Sequence, residues 1–322
     1  VNGDSFEVEL PRGIALAWGV AVNPQRGPKR ELSIEGIVDV AVTLADEGGL
    51  PAVSMSSVAA TLGFTTMSLY RYVSAKDDLL LLMQESGTGL PPRRIAEADT
   101  WRDGLTAFAE ETLATYLAHP WLLDMPIRGI PNTPNNLAWM DAGLAALRDT
   151  PLDWSSRVAS VLLVTGQTRF QALIERGYAD RSRETGVAPN DNDLADAHIL
   201  GNLVTEDAFP QLFAALRSGV FSDEDNNPFT FGLGRALDGI ERLIDNWHGS
   251  APDPVGWEPP ATDAFPRDEV VTRARQARRE AEIRLRDAQR RETEVVKKAR
   301  ERQSRKHDAD ARAALKAAAK SI

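Results

Sequence analysis

Ser54 to Leu80 reads SMSSVAATLGFTTMSLYRYVSAKDDLL, and its punctuation decides the fold. Met55, Val58, Ala59 and Leu62 recur at helical spacing, which predicts a short helix from about Ser54 to Leu62. Gly63 ends it, because glycine takes the left-handed conformation that helix ends require at little cost. A second helix is expected from about Thr66 to Val73. Ser74, three before Asp77, reads as a capping-box-like start for a further helix built on Leu79, Leu80, Leu82 and Met83. Two short helices joined by Leu62-Gly63-Phe64-Thr65 make a helix-turn-helix, whose second member lies in the major groove with its N-terminal residues at the base edges.

Upstream, Ile34, Ile37, Val38, Ala41, Leu44 and Ala45 form another helical stripe, with Ser33 as its cap and Gly48-Gly49 as its stop. Residues 1–30 hold Pro11, Pro24 and Pro28 with four glycines, and read as an extended arm with one short apolar turn around Ile14 to Trp18. Downstream of Pro91-Pro92, helices are expected at about 101–118, 135–149, 155–176, 191–218 with a break at Pro210, and 229–247. Alternating β-branched stretches are nearly absent, so the fold class is all-α. The expected divisions are an arm at 1–30, a helix-turn-helix domain at 31–80, a helical domain at 81–248, a Pro-rich linker at 249–266 and a charged tail at 267–322. The tail lacks proline and glycine and is rich in Arg, Ala, Glu and Lys, which favours helix, but its larger apolar residues keep no sustained heptad.

The chain has 322 residues, 43% of them hydrophobic, and a net charge of −10. That apolar fraction supports a buried core and excludes a wholly disordered chain. No cysteine is present, which removes disulfides, thiolate nucleophiles, Cys-ligated zinc and iron-sulfur clusters. No stretch approaches the roughly 18 apolar residues needed to span a bilayer, and the N-terminus lacks the basic-then-apolar pattern of an export signal. A cytoplasmic address is expected. The charge is divided unevenly: residues 267–322 carry 18 Lys or Arg against 10 Asp or Glu, so the body before them is strongly acidic. An acidic body repels a polyanion at long range, so any nucleic-acid contact falls to local basic patches, namely Arg26-Gly27-Pro28-Lys29-Arg30 and the tail.

On the helix-turn-helix reading Thr65, Thr66, Met67 and Ser68 face DNA: hydroxyls bond bases and phosphates, and Met67 offers an apolar contact of the kind a thymine methyl accepts. Tyr70 and Tyr72, two apart, point to different sides of their helix. One reaches a phosphate while the other packs the domain, and either division fits the pattern. Lys76 adds a positive charge to the N–H groups at the start of the next helix, a phosphate clamp.

These same residues resemble the TetR family of bacterial transcriptional repressors. The likeness runs through Ser33 to Ala45, the Leu-Gly-apolar turn, the Ser-Leu-Tyr-Arg-Tyr helix and the Lys-Asp-x-Leu-Leu start of the following helix, about 50 residues in all. The Arg-Gly-Pro-Lys-Arg run resembles the extended arm of many actinobacterial members. The resemblance implies base or near-base contacts for Thr65, Thr66, Met67 and Ser68 and phosphate contacts for Tyr70, Tyr72 and Lys76. It adds Ser54 and Ser56, at the start of the preceding helix, although many members carry Arg where Ser56 stands. Arg26, Lys29 and Arg30 would enter the minor groove or neutralise phosphates, and solvated charge is the competing reading.

The family's C-terminal domain binds a small effector and dimerises, and Thr115 to Ala146 is similar to that of the Tet-repressor-like subgroup. Candidate ligand contacts are Tyr116, His119, Trp121, Arg128, Trp139, Gln167, Phe170 and Gln171, with Thr165 as a further polar candidate on an otherwise apolar helix. Aromatic walls with a few polar groups suit a drug-sized ligand, and they suit any helical core equally. A buried Gln needs a partner, which an effector or the protein itself can supply. By analogy the helices near 155–176 and 229–247 would form the dimer interface.

Enzymatic readings lack support: the four histidines are isolated, and no phosphate-binding glycine loop or Gly-x-Ser-x-Gly turn occurs. No cofactor or metal is expected. The chain therefore reads as a homodimeric DNA-binding regulator, a repressor released from a palindromic operator by a small molecule. The alternative is an architectural DNA-binding protein in which the basic tail dominates and no ligand is sensed.

Overall fold

Ile14, Leu16 and Ala17 give the N-terminal segment an apolar face, and the computed structural model folds it as a helix, α1 (Arg12–Ala17), where the sequence predicted an extended arm with one turn. The structure describes residues 10–20, 32–126, 132–187, 203–220 and 228–249, with 199 and 201, and in the tail 269–278, 280, 281, 284, 288, 291, 295, 298 and 302. Among these residues no strand occurs, and no helix is long and apolar enough to cross a membrane.

The next four helices are α2 (Ile34–Gly48), α3 (Met55–Leu62), α4 (Thr66–Tyr70) and α5 (Lys76–Thr88). Ser33 caps α2 as expected, its Oγ accepting from Gly36 N at 3.0 Å. Gly63 closes α3 with φ +75°, where a side chain would clash with the backbone. Two expectations are corrected. α4 ends at Tyr70 rather than Val73. α5 starts one residue after Ala75, whose methyl has nothing to accept with, so Ser74 stands one position too early to cap it. Ile37, Val58, Leu69, Val73, Leu79 and Met83 have no exposed surface and form the core of this unit.

The C-terminal part continues with α6 (Trp101–Ala118), α7 (Pro134–Ala146), α8 (Trp154–Thr185), α9 (Pro210–Arg217) and α10 (Pro228–Asp245), and a 3-10 turn at Pro120–Asp124 links α6 to α7. Thr100 caps α6, accepting from Asp103 N at 3.1 Å, and Asp153 caps α8, accepting from Ser156 N at 2.8 Å. That cap holds the Asp153 carboxyl below its ordinary pKa, since the backbone hydrogen bond from Ser156 favours the charged form. A second core gathers Leu105, Phe108, Val161, Val164, Leu237 and Ile240 from α6, α8 and α10, with Ile95 from the 3-10 turn before α6 and Leu147 from the end of α7. Close approach is set by two glycines: a Cβ on Gly104 would sit 2.7 Å from Ala146 Cβ, and one on Gly143 2.9 Å from Val161 Cγ1. α8 is longer than the periodicity suggested and stops at Gly186, φ +69°. Where one helix was expected over 191–218, positions 199, 201 and 203 are helical, the chain turns at 204–209, and Pro210 opens α9.

The tail is a separate unit from Asp253 to Ile322. Its described residues are helical and mostly exposed, laced by Glu269–Arg273 and Glu280–Arg284 pairs one turn apart. The linker reading falls almost wholly outside the described residues.

Candidate nucleic-acid interface and ligand cavity

Hydroxyl groups shape the reading head from within. Ser54 Oγ accepts from Ser57 N at 3.0 Å, and Ser57 Oγ accepts from Ser54 N at 2.9 Å, a reciprocal cap that fixes the entry of α3. Thr65 caps α4 in the same way, accepting from Ser68 N at 3.3 Å, with the two hydroxyls 2.9 Å apart. Leu69, with Val73 just past the end of the helix, anchors α4 to the core, so its opposite side is presented outward: Met67 is 74% and Tyr70 43% exposed. Tyr72 is half-buried with its ring against the core, which settles which tyrosine projects. Ser56 and Lys76 are exposed as well. Ser54 spends its hydroxyl on the cap and on a 2.9 Å contact with Ser56 Oγ.

Behind the head lies a cavity of about 630 Å3. One wall is α5, through Asp77, Asp78, Leu80, Leu81, Gln84 and Thr88. α6 supplies Phe108, Thr112, Thr115 and Tyr116, α8 supplies Val161, Leu162, Thr165 and Arg169, and α7 supplies Asn136, Trp139 and Met140. Leu122 and Met125 come from the 3-10 turn, and α1 closes the cavity with Pro11, Gly13 and Ile14. α1 lies close because Gly13 has no side chain: a Cβ there would be 2.8 Å from Asp78 Oδ1. Trp18 Nε1 donates to Asn132 O at 2.9 Å and holds the end of α1 against another wall residue. A chamber of this size, mostly apolar with a few polar groups, suits a drug-sized molecule.

Two clamps tie the cavity walls to the reading head. At the C-terminal end of α5, Glu85 accepts from Asn135 N at 2.8 Å while Asn135 Nδ2 donates to Glu85 O at 2.8 Å. At the 3-10 turn, Trp121 Nε1 and His119 Nδ1 both reach Asp46 Oδ1 of α2, at 2.7 and 2.8 Å. Arg169 and Arg176 of α8 hold the same turn from the other side, donating to the carbonyls of Leu123 and Pro120.

Comparison with known proteins decides the family. The model of "Bacterial regulatory proteins, tetR family" matches residues 37–83, and that of "Tetracyclin repressor-like, C-terminal domain" matches residues 95–244. The HTH-type transcriptional repressor DrrR1 of Streptomyces coeruleorubidus is 35% identical over 251 residues, spanning 76% of this chain and 90% of that protein. The chain belongs to the TetR family. An HTH-type transcriptional regulator of Saccharopolyspora erythraea is 35% identical over 127 residues, 38% of this chain and 52% of that one. In fold it is similar to ActR of Streptomyces coelicolor, solved without ligand (TM-score 0.56, 22% identity, covering 69% of this chain and 99% of that one) and in complex with actinorhodin (TM-score 0.54, 22% identity, 67% and 98%).

Within this TetR-family chain, the residues expected at DNA fall into three groups. Thr65, Met67, Tyr70, Ser56 and Lys76 are exposed, while Thr66, Ser68 and Ser54 are half-buried. Tyr72 packs inward. Arg26, Lys29 and Arg30 lie outside the described residues. Of the expected ligand contacts, Tyr116 and Trp139 line the cavity, and so does Thr165. His119 and Trp121 instead bind Asp46, with Trp121 buried against Gly87. Gln171 donates to Glu175 at 2.8 Å, Gln167 lies against Gly232 of α10, and Phe170 is 55% exposed. Arg128 lies outside the described residues. Among the wall residues absent from the sequence-based ligand set are Gln84, Thr88, Thr112, Asn136 and Arg169. Arg169 carried one legible signal, since it follows Val161, Leu162 and Thr165 at helical spacing.

Proposed function

We propose that the protein is a homodimeric repressor that reads a palindromic operator with α4 and is released when a small molecule occupies the cavity. The observation that carries this reading is that one wall of the cavity is α5, whose first residues follow α4 after five positions. A ligand that favours one setting of α5 therefore favours one setting of the reading head, and a coupling of about 1–3 kcal/mol changes operator affinity about 5- to 150-fold. DrrR1 is named a repressor, and the ActR fold holds actinorhodin in a crystal, which supports both halves of the reading.

Dimerisation is read from α8 and α10. Trp154, Leu162, Leu163 and Phe170 on α8 and Phe231 on α10 are each at least half exposed, a concentration of large apolar side chains that a second copy of the chain would cover. Two heads related by the dimer axis would then meet successive major grooves about 34 Å apart or a multiple of it.

Selection of duplexes from a random pool by the purified chain, at about physiological salt, tests this, with a parallel selection after deletion of residues 267–322. One inverted repeat recovered by both proteins is the expected result. Enrichment that is absent, or that is salt-sensitive and vanishes with the tail, would favour the architectural alternative.

A further inference from the structure

We propose that the cavity takes a flat aromatic ligand bearing an acidic group, the acid held by Arg169 and a polar atom of the ring system reaching Thr112; this rests on the cavity being the effector site.

Arg169 stands in the wall, half-buried, with its guanidinium 5.8 Å from the centre of the Tyr116 ring. One of its five N–H groups goes to the Leu123 carbonyl. Arg94, Arg102, Arg148, Arg176 and Arg235 each pair with a carboxylate, but Arg169 forms no ion pair with any described residue. A guanidinium beside an apolar chamber with donors to spare matches a carboxylate or ionised phenol, and bonds of that kind are shorter and stronger than neutral ones.

Thr112 is the second observation. Thr106 and Thr115 on α6, and Thr165 and Thr168 on α8, all donate to the carbonyl four residues back at 2.8–2.9 Å. Thr112, also on the cavity wall, is buried and its Oγ1 has no partner. A buried hydroxyl without a partner is costly, and rotation about the Thr112 Cα–Cβ bond, which exchanges the hydroxyl with the methyl, would turn it to a ligand atom that relieves that cost. Tyr116, Phe108 and Trp139 supply flat surfaces around both groups, the last two edge to face at 5.8 Å. Asp77 and Asp78 line the cavity too, at the start of α5 beside α1. Asp77 is exposed and Asp78 half-buried, so a cationic ligand at this end is the competing occupant, which the amine probe reads.

The test measures binding of anthracene-2-carboxylate, its neutral carboxamide and 2-(aminomethyl)anthracene to the full chain by fluorescence titration. The wild type is expected to prefer the carboxylate to the amide by about tenfold, the worth of one charge-assisted contact. Arg169→Gln should erase that preference, and Thr112→Val should weaken carboxylate and amide by a similar factor while circular dichroism stays unchanged. Gln84→Trp, which fills the cavity, should block all three probes. Equal affinity for carboxylate and amide, tightest binding of the amine, or a preference that survives Arg169→Gln would overturn the proposal while leaving the effector site standing, provided that Gln84→Trp blocks binding. Failure of every probe to bind, or binding untouched by Gln84→Trp, would remove the effector site itself and the proposal with it.

Discussion

Trp121 Nε1 donates to Asp46 Oδ1 at 2.7 Å, joining the turn that bounds the cavity to the helix that supports the reading head. Leu122, the next residue, lines the cavity, so on the proposed function a ligand that moved this turn would be felt at α2. Trp121→Phe removes the N–H together with the outer ring atoms Cζ2 and Cη2 that pack against Gly87. The expected outcome is a stability loss of about 1–3 kcal/mol from the lost hydrogen bond and the space left by the smaller ring, unchanged ligand affinity, and a smaller ligand-induced drop in operator affinity, measured by thermal melts and by anisotropy with and without ligand. An unaltered drop would exclude this turn from the linkage.

α1 should act as a wall of the cavity rather than as free arm. Gly13→Val places a side chain where Asp78 Oδ1 and Cα already stand, at 2.8 and 3.3 Å from the new Cβ. α1 must then lift from α5, with a cost of about 1–3 kcal/mol for overpacking, and bound ligand should dissociate faster. Stopped-flow displacement of an anthracene probe reads the rate, and a rate equal to the wild type's would show that α1 does not retain the ligand.

The two sides of α4 should respond differently. Leu69→Ala empties a fully buried site and is expected to destabilise the chain by about 2–5 kcal/mol, whereas Met67→Ala, on a side chain 74% exposed, should leave the melting temperature nearly unchanged and weaken DNA binding. A large melting shift for Met67→Ala would mean that α4 is turned differently about its axis.

Acid should loosen the contact between α6 and α10. Arg102 Nη2 bonds Asp238 Oδ1 at 2.5 Å and Nη1 bonds Glu241 Oε2 at 3.2 Å. The hydrogen bond from Arg102, with the charge of Arg235 beside it, holds the Asp238 carboxyl below its ordinary pKa. A carboxyl whose folded pKa is depressed adds stability above its unfolded value of about 3.9, and that stability is lost as the pH falls through the folded value. Wild type should therefore melt above Asp238→Asn at pH 6, with the gap closing below about pH 4. A gap independent of pH would show that the ionised form of Asp238 is not what stabilises the contact.

Much of this was legible in the residues because the head is governed by local rules. Ser33, Gly63 and the 3.6-residue stripes of α2 and α3 each specify a helix start, stop or face within a few positions, and the structure follows them. The cavity was less legible, since its wall is chosen by how long helices turn about their axes. α8 carries Gln167 and Gln171 on one side and Thr165 and Arg169 on another, with apolar residues all round. Nothing in that pattern states which side faces α6, and the sequence reading favoured the glutamines. His119 and Trp121 were expected at a ligand because their partner, Asp46, lies 73 and 75 residues away in the chain. α1 was hidden by Pro11 and the glycines around it, whose turn signals outweighed one short apolar face that forms only against α5.

The most direct test is operator binding by Tyr70→Ala and Lys76→Ala, measured by fluorescence anisotropy on the inverted repeat recovered by selection, with circular dichroism and ligand affinity as controls for the fold. Both variants are expected to lose at least about tenfold in affinity, the Lys76 variant with a salt slope shallower by about one, while helix content and ligand binding persist. Wild-type affinity for that site in both variants would contradict the placement of the reading head on α4 and the start of α5.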